Sequence, residues 1–253
     1  MIHLKSAREV EKIRASCRIA AEAMAAVVPN VRPGVSTSRL DEVADAYIRS
    51  KGGIPSAKGY RGYPKSICIS VNEEVVHGIP GDLLLAEGDI LAVDIAVKKE
   101  GYHGDMNVSF AVGEPGPAAR RLIDATRRSL ELGIEACACG SRLGDVGHAI
   151  QSFVEGEGYS VVREYCGHGI GRAFHEEPQL LHFGQPNTGR RLEPGTVFTV
   201  EPMVNEGVAE VDVQDDNWTA VTRDGKLSAQ FEHTVLITEN GPDILSHFSD
   251  LPF

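Results

Sequence analysis

The chain repeats itself, and that restricts its fold more than any single motif. "SRLDEVADA" at 38–46 is echoed by "SRLGDVGHA" at 141–149. The "HGI" that begins at His77 returns as "HGI" at His168. "LAEGDILAVDIAV" (85–97) aligns with "LEPGTVFTVEPMV" (192–204), which sets Asp94 against Glu201, and Asp105 before "VSF" answers Glu232 before "HTVLI". Four echoes in one order describe a duplicated unit of two helices, an HGI loop and a β-hairpin. The expected fold is α+β: two halves related by a pseudo-two-fold, with helices covering a curved antiparallel sheet. The halves divide a single domain, residues 1–253, into approximately 1–115 and 116–253. Acidic and imidazole side chains recur along with the apolar pattern.

The elements follow from periodicity. Val10, Ile13, Cys17, Ala20, Met24 and Val27 recur at helical spacing until "PNVRPG" ends the run. A second helix begins at the Ser/Thr cap of "STSRLDEVADAYIRSKGG" and stops at its paired glycines. Residues 66–72 and 90–112 read as strands, 117–140 and 141–158 as a second helical pair, and the chain after 160 as mostly β. "CAC" at 137–139 is too short for a zinc knuckle and reads as helical small-residue packing. A net charge of −11 argues against specific nucleic-acid binding, and no local Lys/Arg run offsets it. No apolar run approaches the roughly 20 residues of a membrane span, and "MIHLKSAREVEKIR" has no apolar signal core. Five cysteines without a CxxC pair fit a reducing cytoplasm.

The hairpin "ILAVDIAVKKEGYHGDMNVSFAV" carries two of the recurring acids. With Lys99-Glu100 as a two-residue tip, Asp94 falls directly opposite Asp105 on one face. Like charges opposed on an apolar strand destabilise it unless a shared proton, an arginine or a cation neutralises them. No arginine lies near them in sequence, while the second half adds Glu201 and Glu232, with His168 upstream. Four carboxylates and one imidazole suit two divalent cations about 3.5–4 Å apart, bridged by shared carboxylates. "EYCGHGIGRAFHEEP" (164–178) holds His168 and His175 seven residues apart, which fits neither one helical face nor one strand face.

Together "YPKSICISVNEEVVHGIP", "VDIAV", "GYHGD", "EYCGHGIGRAFHEEP", "TVFTVEPMV" and "LSAQFEHTVLIT" resemble the signature blocks of a type I methionine aminopeptidase of metallopeptidase family M24, in its short bacterial form. The resemblance spans essentially the whole chain. It implies the pseudo-symmetric pita-bread fold of the creatinase/aminopeptidase group and hydrolytic removal of the initiator methionine, favouring a small second residue. It makes Asp94, Asp105, His168, Glu201 and Glu232 the ligands of two divalent ions (Co, Mn or Fe), with Asp105 and Glu232 bridging. Glu201 would also shuttle a proton, His175 would donate to the oxyanion, and His77 would contact substrate at or beyond the scissile bond. Tyr60, Tyr63, Cys68, Phe174 and Trp218 match the slot for the methionine side chain. On this likeness the glycines of the 164–178 loop let its backbone approach metal and substrate, so its two histidines need no shared face.

Three positions depart from the family pattern: Ala96 replaces a hydroxyl residue, Met106 a small polar one, and "SAKGYRGYP" lacks a pocket cysteine. The expected partner is the N-terminal Met of nascent peptides, with transient ribosome association, no membrane and a monomeric cytoplasmic protein. One alternative is an Xaa-Pro exopeptidase of the same fold, which usually carries an additional N-terminal domain. Another is a non-catalytic binding module, expected to lose ligands and gain basic surface. Creatine-type hydrolysis would not require the ligand set.

Overall fold

The computed structural model describes residues 2–247; residues 1 and 248–253 of the expected domain lie outside that range. The helices are α1 (Ala7–Val27), α2 (Thr37–Ser50), α3 (Pro117–Glu135) and α4 (Leu143–Gly156). The first-half strands are β1 (Ile54–Pro55), β2 (Cys68–Val71), β3 (Glu74–Val76), β4 (Ile90–Lys99) and β5 (Tyr102–Ala111). The second half adds β6 (Ser160–Val161), β7 (Gly167–Gly169), β8 (Glu176–Leu180), β9 (Val197–Val200) and β10 (Met203–Asn205). It continues with β11 (Val211–Val213), β12 (Ala220–Thr222), β13 (Ser228–Gln230), β14 (Glu232–Thr238) and β15 (Gly241–Ile244). Among the described residues no helix is long and apolar enough to cross a membrane.

The main sheet has nine strands in the path β1-β4-β5-β14-β9-β7-β8, with β2 on β4 and β15 on β14. The hairpin of the first half (β4, β5) meets the strands of the second half (β9, β14) at a β5–β14 seam. Leu91, Val93, Ile95 and Val97 of β4 enter the main core with Met24 of α1 and Leu40 of α2. Ala92, Asp94 and Ala96 alternate with them, so their side chains project to the other face. Helix α1 starts where the Ser6 N–H and hydroxyl both donate to Glu9 Oε2, at 3.0 and 2.9 Å. It packs against β4 and β5. Contact with β5 is closest at Gly104, where an added Cβ would lie 2.5 Å from the Cys17 backbone nitrogen. Gly104→Ala is therefore expected to destabilise the fold by about 1–3 kcal/mol through overpacking, read as a lower denaturant midpoint.

Two expectations need correction. The hairpin turns at Glu100-Gly101, both left-handed (φ 49° and 84°), as type I′ turns require. Asp94 therefore faces Asn107, and Asp105 faces Ala96. A two-residue change in register preserves parity, so Asp94 and Asp105 remain diagonal neighbours on one face. The "CAC" segment lies beyond the end of α3: Cys137 is buried in the core and Cys139 is exposed.

Candidate metal centre and substrate cleft

Four adjacent strands each deliver one carboxylate. In the spatial order β4, β5, β14, β9 these are Asp94, Asp105, Glu232 and Glu201, the last just past its strand, and β7 adds His168. Glu232 pairs in register with Asn107, two residues from Asp105. At the seam the Thr234 hydroxyl accepts from Asp105 N–H (3.1 Å) and donates to Asp105 C=O (2.8 Å). That staple fixes the backbone of Asp105 beside Glu232. The Thr199 hydroxyl performs the second linkage, accepting from His168 N–H at 2.9 Å and donating to Glu201 Oε1 at 2.6 Å. Close approach of β7 to β9 requires glycine, since a Cβ at Gly167 would collide with the Thr199 carbonyl.

The cluster is electrostatically frustrated without a cation. Burial raises Asp94 to about 7 and Glu201 to about 8. Burial, then the neighbouring carboxylate charges, push Asp105 and Glu232 well above the usual range. Asp105 and Glu232 are only 3% and 2% exposed, and Asp105 Oδ1 and Glu232 Oε1 have no hydrogen-bond partner. His168 Nδ1 lies 3.0 Å from the Gly169 carbonyl and donates to it, leaving the Nε2 lone pair facing inward. That Nε2 sits 3.8 Å from both Asp105 Oδ2 and Glu201 Oε1, beyond hydrogen-bond reach of either. Ligand atoms of Asp105, His168 and Glu232 lie within 4.8 Å of one another. Orphaned oxygens, a neutral imidazole and a hard oxygen-rich donor set fit divalent cations.

The cluster forms the floor of a cleft of about 580 Å³ lined by all twelve residues expected to bind metal or substrate. On one side Tyr63 and Cys68 are buried with Ala57, and Trp218 packs against them. The Tyr63 and Trp218 rings meet edge to face at 5.1 Å, and Cys68 is the β2 register partner of Asp94. The apolar slot thus opens beside the carboxylates. On the other side Tyr60, Phe174 and His175 form an aromatic triad with centroids 4.4–5.2 Å apart. His175 also lies 4.2 Å from the His168 ring. Burial lowers His77 to about 4 and His175 to about 3, so both are neutral donors or acceptors near pH 7.

Sequence reasoning missed several supporting groups. Gln230 accepts from Asn107 Nδ2 at 2.9 Å and donates to Glu201 Oε2 at 3.4 Å. His103 stacks on Phe174 at 5.5 Å and contacts Ser56 Oγ at 2.8 Å. Buried His182 accepts the Glu201 N–H at 3.1 Å. A signal existed for Gln230 and Thr199, since each precedes a recurring acid, Glu232 and Glu201, by two residues in an extended segment. Of the departures from the family pattern, Met106 joins the main core and Ala96 faces Asp105 across the hairpin.

Lys5 anchors the His175 loop from the other end of the chain. Its Nζ lies 2.5 Å from Glu176 Oε2, and its side chain is 2% exposed. Glu176 Oε1 also accepts the Ala173 N–H at 3.0 Å. Lys5→Met strands a largely buried carboxylate, at an expected cost of roughly 3 kcal/mol. A thermal melt should then fall by about 6–12 °C for a chain of this size.

The profile of metallopeptidase family M24 matches residues 11–239. Methionine aminopeptidase A of Synechocystis sp. is 49% identical over 246 residues, 97% of each chain. The methionine aminopeptidase of Escherichia coli strain K12 is 49% identical over 247 residues, covering 97% of this chain and 94% of its own. The crystal structure of methionine aminopeptidase from Rickettsia prowazekii superposes with a TM-score of 0.96 at 43% identity, covering 98% of this chain and 100% of that one. The pseudo-symmetric α+β sheet is accordingly the pita-bread fold, and the chain belongs to metallopeptidase family M24, among its methionine aminopeptidases.

Proposed function

We propose that this protein removes the N-terminal methionine from peptides with a small second residue, using two divalent cations held by Asp94, Asp105, His168, Glu201 and Glu232. The observation that carries the reading is the buried carboxylate cluster, with its orphaned oxygens, opening directly beside an aromatic slot. When bound, the cations supply Lewis acidity toward the scissile carbonyl and lower the pKa of water. The remaining roles fall to side chains of this chain. Tyr63, Cys68 and Trp218 take the methionine side chain, whose polarisable sulfur suits aromatic edges. Tyr60 and Phe174 close the opposite wall and hold His175 over the floor. Neutral His175 donates a hydrogen bond to the oxygen that becomes negative as the carbonyl turns tetrahedral. Glu201, oriented by Thr199 and Gln230, moves a proton from the attacking water to the leaving amine. His77 lies between Trp218 and Tyr165, at 6.2 and 5.3 Å, and contacts the substrate at or beyond the scissile bond. A single monomeric catalytic unit, acting in the cytoplasm with transient contact to the ribosome, belongs to the same reading.

The test is release of the first residue from Met-Ala-Ser and Ala-Pro-Ser by chelator-stripped protein, before and after Mn, Fe or Co is added back. Metal-dependent loss of Met alone is expected. Cleavage only before proline would move the assignment to an Xaa-Pro exopeptidase. Folded protein inert with every metal would remove the enzyme assignment.

A further inference from the structure

The cleft is lined almost entirely by one sign of charge. Besides the carboxylate cluster, Glu164, Glu176 and Glu177 border it, and Arg61 is its one basic lining residue among the described residues. Glu176 is occupied by Lys5, which leaves Glu164 and Glu177 as rim anions. Arg61 has no carboxylate in ion-pair contact among the described residues and is exposed. Its backbone is left-handed (φ 48°), between Gly59 (φ 83°) and Gly62 (φ 92°), a conformation that disfavours a side chain as large as arginine. The turn is nonetheless fixed by backbone bonds from Tyr60 to Ala57 (2.9 Å), Gly59 to Tyr63 (2.8 Å) and Tyr63 to Tyr60 (2.9 Å).

The turn aims the guanidinium at the cleft. It lies over the Tyr60 ring, 5.4 Å from the centroid, and that ring is 5.0 Å from His175. The Arg61 charge is also among the influences lowering the His175 pKa. The guanidinium is thus within about 10 Å of the group that faces the scissile carbonyl, the reach of three extended residues at about 3.3 Å each. With methionine held in the slot of Tyr63, Cys68 and Trp218, a peptide that leaves the cleft along the Tyr60 wall brings its third and fourth residues within reach of Arg61.

We infer that Arg61 is a specificity-determining residue that recognises a carboxylate on the third or fourth residue of the substrate. The inference rests on the aminopeptidase reading above and adds to it a sequence preference beyond the second residue. Glu164 and Glu177 alone would favour a basic peptide, so an acidic preference at either position would be the local effect of Arg61.

The test is a competition assay with metal-loaded enzyme, following methionine loss by mass spectrometry. The substrates are Met-Ala-Asp-Ser, Met-Ala-Ser-Asp, Met-Ala-Lys-Ser and Met-Ala-Ser-Lys. An exposed ion pair predicts an acidic-over-lysine ratio of about 2–5-fold at low salt for at least one position. That ratio should approach one near 1 M salt, where the Debye length is about 3 Å. Arg61→Met should drop it to one or below, and Arg61→Glu should invert it. Because ratios are read within one sample, partial loss of folded variant does not disturb them. A wild-type ratio of one or below, or a ratio unchanged in both variants, overturns the inference while leaving the aminopeptidase reading intact. Methionine release from none of the four peptides would overturn the aminopeptidase reading itself.

Discussion

Asp105→Asn should remove turnover and, in metal-free protein, raise the melting temperature. The substitution keeps the shape of the side chain and removes a carboxyl that metal-free protein can bury only as a charge among like charges or by taking up a proton, each unfavourable near pH 7. Asp105 is 3% exposed, within 3.8 Å of His168 Nε2, and coupled by charge to Asp94, Glu201 and Glu232. Without a cation these buried carboxylates repel one another and lose hydration. An amide at the centre relieves part of both penalties. A gain of about 1 kcal/mol or more is expected, which corresponds to about 2–4 °C at this size. Added Mn reverses the order, because wild-type protein gains about 2.7 kcal/mol at a metal concentration of 100 Kd and the variant responds weakly. Since outer-sphere partners of a metal cost 10–100-fold when lost, losing a ligand should lower kcat/KM by more than about 100-fold. A metal-free variant that melts several degrees below wild type, or one with a tenth of wild-type activity, would contradict this account of the site.

His175→Ala separates chemistry from metal binding. His175 is exposed to the cleft and contacts Tyr60, Phe174 and the His168 ring; partial desolvation among these rings lowers its pKa, so its neutral N–H is available to a developing oxyanion. Removal of one such donor costs about 10²–10³ in kcat. Metal stoichiometry and affinity should stay at wild-type values by calorimetric titration, because the five proposed ligands are untouched. A large fall in metal affinity would instead make His175 part of the metal site.

The sequence carried the acidic cluster because duplication and strand parity act at short range. Asp94 and Asp105 share a face whether the hairpin turns at Lys99-Glu100 or at Glu100-Gly101, since parity survives a two-residue change in register. The register itself was not legible, because a Glu in the left-handed region is an uncommon turn former. Cross-chain supports were less accessible still. Lys5 meets Glu176 across 171 residues, and Asn107 meets Gln230 across 123. Neither pairing leaves a periodic trace. Nor does the sequence around Arg61 show that its guanidinium packs over the Tyr60 ring beside the cleft.

The central claim is that five side chains from five neighbouring strands hold two cations on one floor. The most direct measurement is anomalous scattering from crystals soaked in Mn. Two peaks about 3.5–4 Å apart, enclosed by Asp94, Asp105, His168, Glu201 and Glu232 and absent in Asp105→Asn crystals, are the expected result. A fully loaded crystal with one peak, or with peaks bound outside these residues, would contradict it.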